Sequence, residues 1–142
     1  MNLSDLERSG DIEKTGKDPK TAANLFKTAE NDIKTAGEVS TLKRYNWAVA
    51  IAYQGMLNAG RALMFAKGWR TRSETHHVAV VRFCAAALPS GSLALVNIFN
   101  RYRVRRHDLV YGDAEDSVSE SEAERVIENA KIFLEAIEKM LK

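Results

Sequence analysis

The sequence predicts an all-α fold, an up-down bundle of four to five helices, and three observations carry that prediction. Apolar residues recur three and four positions apart through most of the chain. The periodic runs end at turn signals, at Gly37, Gly68, 89-PSGS-92 and Gly112. No alternating strand pattern of any length competes with them, and no internal repeat is visible. At 142 residues the chain has room for one domain with a core of its own.

Residues 1–18 are polar and glycine-spotted and read as an N-terminal arm, a loose segment or a short helix laid on the body; residues 19–142 read as the bundle domain. Pro19 suits a first helical turn. From there Ala22, Leu25, Phe26, Ala29, Ile33 and Ala36 mark the first core helix, which should stop at Gly37. The second, from about Leu42 to Lys67, carries a wide apolar face with Ala48, Ala52, Gly55, Ala59 and Gly60 small enough for close helix contact. It should be central. A third is expected from about Glu74 to Leu88, and a fourth from near Ser92 to the arginines. The last has the cleanest period, through Ala123, Ile127, Ala130, Leu134, Ile137 and Leu141, with Ser119 and Glu122 in capping-box relation at its start.

Charge is local. The net charge of +2 arises from 21 basic and 19 acidic side chains, which excludes a generic polycation that coats nucleic acid. Yet 101-RYRVRRHDLVYGD-113 crowds Arg101, Arg103, Arg105 and Arg106 together, and Asp113 to Glu128 carries seven acids against Arg125. A helix end needs one or two cations to offset its dipole, so this cluster points to a partner with negative charge. On a helical wheel Ile98, Phe99, Tyr102 and Leu109 lie within about 60° of the apolar centre and Arg106 at about 20°, inside that face. Arg106 should therefore point inward or into a subunit interface and hold a fixed acidic or phosphate partner.

One cysteine, Cys84, excludes an intramolecular disulfide, and no Cys/His spacing resembles a zinc site. No metal or cofactor is expected. The first residues lack the apolar core of a signal peptide. The uncharged run from Phe83 to Asn100 is interrupted by 89-PSGS-92, which argues against a membrane span. A cytoplasmic location follows as the expectation. His76 and His77 read as structural residues at a helix start. The turn 68-GWRTRS-73 reads as a surface turn, with base stacking by Trp69, Arg70 and Arg72 as the sharper alternative.

The chain resembles the HEPN superfamily over roughly residues 19 to 141. The likeness rests on 45-YNWAVAIAYQGMLNAGRALMFAKGWR-70, on 77-HVAVVRF-83, on 103-RVRRHDLVYGD-113 and on 117-SVSESEAERVIENAKIFLEAI-137, in that order. The resemblance implies a helical homodimer that brings together two copies of a motif, an arginine followed by a polar residue and then a histidine four to six residues beyond the arginine. Members often pair with minimal nucleotidyltransferases, and active ones look like metal-independent endoribonucleases of toxin or defence type. Arg106-His107 matches the first half of the motif, and Tyr111 stands where the histidine would fall. Arg101 and His107 satisfy the formal spacing, whereas Arg-His-x-x-x-Tyr is similar to a tyrosine-bearing branch.

Metal-free RNA cleavage needs a base for the 2′-hydroxyl, an acid for the 5′ oxygen and cationic donors for charge developing on phosphorus. On this reading the catalytic candidates are Arg106 at the phosphate, His107 as acid or base, and Tyr111 as a phosphate donor. Arg101, Arg103 and Arg105 are the phosphate-binding candidates. A phenol, with an ordinary pKa of about 10, is a poor base at neutral pH. The plainer roles are an Arg106 tied to a carboxylate on the last helix, a His107 favoured by the helix dipole, a solvated arginine flank, and a Tyr111 packed over the helix end. Two function classes stand. One is a dimeric binding module for RNA, a nucleotide or a nucleotidyltransferase partner in a toxin-antitoxin or defence-like system. The other is an active endoribonuclease toxin with a composite dimer site.

Overall fold

The computed structural model describes residues 2–72, 77–112 and 117–142. Its centre is the helix Tyr45–Lys67, which buries residues around most of its circumference, including Val49, Tyr53, Met56, Leu63 and Met64. Small residues let its neighbours approach. A Cβ at Gly60 would come within 2.7 Å of Val80 Cγ1 and 3.0 Å of Cys84 Sγ, and one at Gly55 within 2.7 Å of Ile33 Cδ1. Larger side chains there would push apart packed helices.

In chain order the elements are α1 (Leu3–Ser9), β1 (Ile12–Lys14), α2 (Pro19–Thr41), α3 (Tyr45–Lys67), β2 (Trp69–Thr71), α4 (His77–Ala87), α5 (Leu93–Tyr111) and α6 (Glu120–Leu141). The all-α bundle expected from the periodicity is present, with α2, α4, α5 and α6 all packed on α3. Asp18 caps α2 through its carboxylate, which accepts from the Thr21 backbone, and Gly68 ends α3 at φ +89°. A three-residue 3-10 turn, Ser90–Ser92, leads into α5.

Three expectations need correction. The first core helix does not stop at Gly37 but continues to Thr41. A helical glycine costs only about 1 kcal/mol, and the half-buried Val39 beyond it packs against the core. The N-terminal stretch contributes a helix and a strand: β1 pairs antiparallel with β2, Ile12 opposite Thr71 and Lys14 opposite Trp69. Leu6 and Ile12 bury their side chains in the core. Strands of three residues are too short to show alternation. Third, the Ser119–Glu122 capping box forms by half: Ser119 Oγ accepts from the Glu122 backbone, while the Glu122 carboxylate is engaged with α5. The expected start of the third helix at Glu74 lies outside the described residues, as do Asp113, Glu115 and Asp116 of the acidic segment.

Candidate nucleic-acid interface

Helix α5 is anchored by rings. Phe99 lies 5.6 Å from the Tyr53 ring of α3 and 5.3 Å from Phe133 of α6, tilted against both. With Val96, Tyr102 and Leu109 it forms the buried side of the helix. The same side carries Arg106 between Tyr102 and Phe99 in rotation, as the wheel indicated, but Arg106 is exposed. Its rotational position and its exposure together place it at the open edge of that side rather than in the core.

The carboxylate expected to hold Arg106 holds its neighbour. Glu122 of α6 accepts from the Tyr102 hydroxyl at 2.6 Å and from Arg105, whose guanidinium lies 5.4 Å from the Tyr102 ring centre. Burial pushes Glu122 up, but those two donors outweigh it and hold the carboxyl below its ordinary range. Burial and the Glu122 bond raise the Tyr102 phenol to about 12. Arg105 is thus built into the α5–α6 contact. Arg103 donates through Nε to Asn100 Oδ1 at 2.9 Å, and Arg101 is exposed beside Arg105 and Arg125 at a small cavity of about 150 Å³.

His107 and Tyr111 are exposed one turn apart with ring centres 5.1 Å from each other, and Tyr111 is 76% exposed. Five residues separate Arg106 from Tyr111, which is about 140° of rotation on an α-helix. Within one chain the three catalytic candidates therefore do not converge. Arg106 lies at the edge of the buried side of α5, and the His107–Tyr111 pair lies toward the outer surface.

A different histidine senses the charge of Arg106. His77, the first residue of α4, bonds through Nδ1 to the buried Tyr53 hydroxyl at 2.9 Å. Burial lowers its pKa below the ordinary 6.5, and the positive charges of Arg106, Arg61 and Arg103 lower it further. Burial also pushes the Tyr53 phenol up to about 12, with Arg106 and Arg103 pulling the other way. The phenol therefore keeps its proton at neutral pH, and it shares one hydrogen bond with Nδ1 of a neutral imidazole, the ring tautomer deciding which of the two donates. His77, read from sequence as structural, is bonded to Tyr53 on the apolar face of α3, a pairing that no sequence spacing indicates. The available signal was the histidine pair before an apolar helix, with no metal-ligand spacing to explain it.

This electrostatic arrangement has a direct check. Removing a nearby positive charge favours the imidazolium, so Arg106→Ala is expected to raise the His77 pKa, read from its ring protons by NMR titration; an unmoved midpoint would separate the two residues. For stability the sign is as follows. A depressed histidine pKa leaves the unfolded chain binding the proton more readily, so this contribution is complete above the ordinary 6.5 and is lost as pH falls below it.

Among the described residues, Arg61, Arg103 and Arg106 have no carboxylate ion-pair partner. These three guanidiniums, from α3 and α5, all act on the imidazole of α4, and positive charge left in this way suits an anion with several acceptor oxygens. Among the described residues no cluster of His, Cys, Asp and Glu is placed to hold a metal ion, and no helix is long and apolar enough to cross a membrane. No curated protein matches the chain. The family model of the HEPN domain matches residues 22–140, from the first turn of α2 almost to the end of α6, and the chain belongs to the HEPN family.

Proposed function

We propose that the protein is a HEPN-type binding module for RNA or nucleotide phosphate, with Arg106, Arg103 and His77 as the phosphate contacts. One observation carries the reading: Arg106 and Arg103 have no carboxylate partner among the described residues and share their surroundings with a histidine held neutral. Guanidiniums left this way favour an incoming phosphate over any anion the described chain supplies. Family membership agrees with an RNA-associated role. A minimal nucleotidyltransferase as protein partner, within a toxin-antitoxin or defence-like system, belongs to the same proposal.

The protein acts as a homodimer joined along the outer face of α5. Val104 is 64% exposed and Tyr111 76%, and with Leu93 they fall on one stripe of the helix, about 20° apart in rotation. A second copy packed there covers the stripe and sets His107 and Tyr111 of both chains near one another. Val104→Glu is expected to convert a dimer into a folded monomer in sedimentation and to weaken RNA binding; a wild type that is monomeric at micromolar concentration contradicts the dimer.

The endoribonuclease reading keeps a specific support. His77 adds a second histidine to the Arg106 neighbourhood, and its neutral state at pH 7 suits proton transfer better than the Tyr111 phenol. Cleavage of RNA in EDTA that is lost in Arg106→Ala and in His77→Ala, both still folded, selects that reading. RNA bound and recovered intact selects the binding module.

A further inference from the structure

Beneath the two-stranded ribbon lies a recess of about 300 Å³ lined by Glu13, Arg61, Met64, Phe65, Arg70, Thr71 and Arg72. Three guanidiniums surround it against one carboxylate. Glu13 serves two of them, accepting from Arg70 Nε at 2.6 Å and lying 3.8 Å from Arg72 Nε. Arg61 has no ion-pair partner among the described residues. The lining also includes apolar side chains, the buried Met64 and the half-buried Phe65, both from α3. Apolar surface ringed by forked cations matches a nucleotide, whose base prefers to leave water and whose phosphate takes paired N–H donors. The volume is at the lower end of that usual for small-ligand sites.

Arg61 relates this recess to the surroundings of Arg106 on α5. It lines the recess and is also among the cations that depress His77, together with Arg106 and Arg103, so the charge of the recess and that of the α5 arginines act on one imidazole. We infer that the ribbon recess is a second nucleotide subsite, which takes a phosphorylated nucleoside unit next to the one whose phosphate meets Arg106. The inference rests on the phosphate-binding reading above and extends it from one phosphate to two adjoining nucleotide positions. It also gives the N-terminal strand a role, since Glu13 of β1 aligns Arg70 of β2 and Arg72 just beyond it. The unit comes from a single RNA strand or from a free nucleotide, and the chemistry of the recess serves both.

The test uses the full chain in EDTA with two probes, a ten-nucleotide single-stranded RNA followed by anisotropy and AMP followed by calorimetry. Arg61→Ala and Arg72→Ala are compared with Arg106→Ala, after melting curves show that each is folded. Arg72 is an exposed side chain on the ribbon, so its truncation keeps the test open if Arg61→Ala fails to fold. A second subsite on an RNA strand requires each ribbon variant to lose about five- to tenfold in RNA affinity, with the salt slope reduced by about one. If the recess serves free nucleotide, the loss falls on AMP instead. Unchanged affinity for both probes in the ribbon variants, with a loss in Arg106→Ala, overturns the second subsite and leaves the α5 site standing. No binding of either probe by the wild type overturns both.

Discussion

Phe99→Ala is expected to cost about 3–5 kcal/mol of stability, the range for truncating a buried aromatic in a close-packed core. Phe99 is fully buried and stands between the Tyr53 and Phe133 rings, so it joins α3, α5 and α6 at one point. Its loss leaves a cavity that three helices share and that none can fill alone. Because typical domains hold 5–15 kcal/mol in total, the variant should lose a large part of its denaturant resistance. The check is a urea titration by circular dichroism: a fall in midpoint at similar slope is expected. A change below about 1 kcal/mol would mean that the ring cluster is not the anchor of α5. His77 should report the same event, since Tyr53, which touches Phe99, also holds its imidazole.

Arg106→Ala is expected to leave stability almost unchanged while lowering RNA affinity by about tenfold or more. An exposed arginine without an ion-pair partner among the described residues contributes little to folding. A guanidinium bonded to phosphate contributes about 1.5–3 kcal/mol to binding. The loss should be uniform across RNA sequences, because phosphate contacts position the strand without reading it. Arg105→Ala should show the opposite balance, since its guanidinium is bonded to Glu122 and lies against Tyr102. Fluorescence anisotropy at several salt concentrations, beside melting curves, separates the two. Equal loss of affinity and stability in both variants would remove the distinction between a binding and a structural arginine.

The bundle was legible because its elements are long and periodic. The clean apolar period of α6 and the glycine at the end of α3 are local features, and local features survive into the fold. Gly37 misled because a breaker residue states a propensity, and packing on either side of it prevailed. The ribbon was missed because its two strands, three residues each and separated in the chain by all of α2 and α3, become a unit only through long-range pairing.

The site was legible in part. The arginine cluster announced itself by composition, and the wheel placed Arg106 on the correct side of α5. What a wheel lacks is the distance to the next helix, so a side chain that ends exposed and one buried in the core look alike. It also ranks residues that share a helix, whereas the histidine on which Arg106 acts electrostatically belongs to α4. His77 became visible only when folding brought α4, α3 and α5 together, with the Tyr53 hydroxyl on its Nδ1. Arg105 and Arg106 are adjacent in sequence and unlike in surroundings, because α6 presents Glu122 to Arg105.

The central claim, that phosphate binds where α3, α4 and α5 meet, is tested most directly by titrating isotope-labelled protein with a short single-stranded RNA in EDTA and following amide and imidazole resonances. The earliest and largest shifts are expected at His77, Arg103 and Arg106, with the His77 pKa rising as a phosphate offsets the surrounding guanidiniums. Shifts confined to the opposite side of the bundle, around the groove of Phe26, Glu30 and Lys131, or no shifts at all, would contradict it.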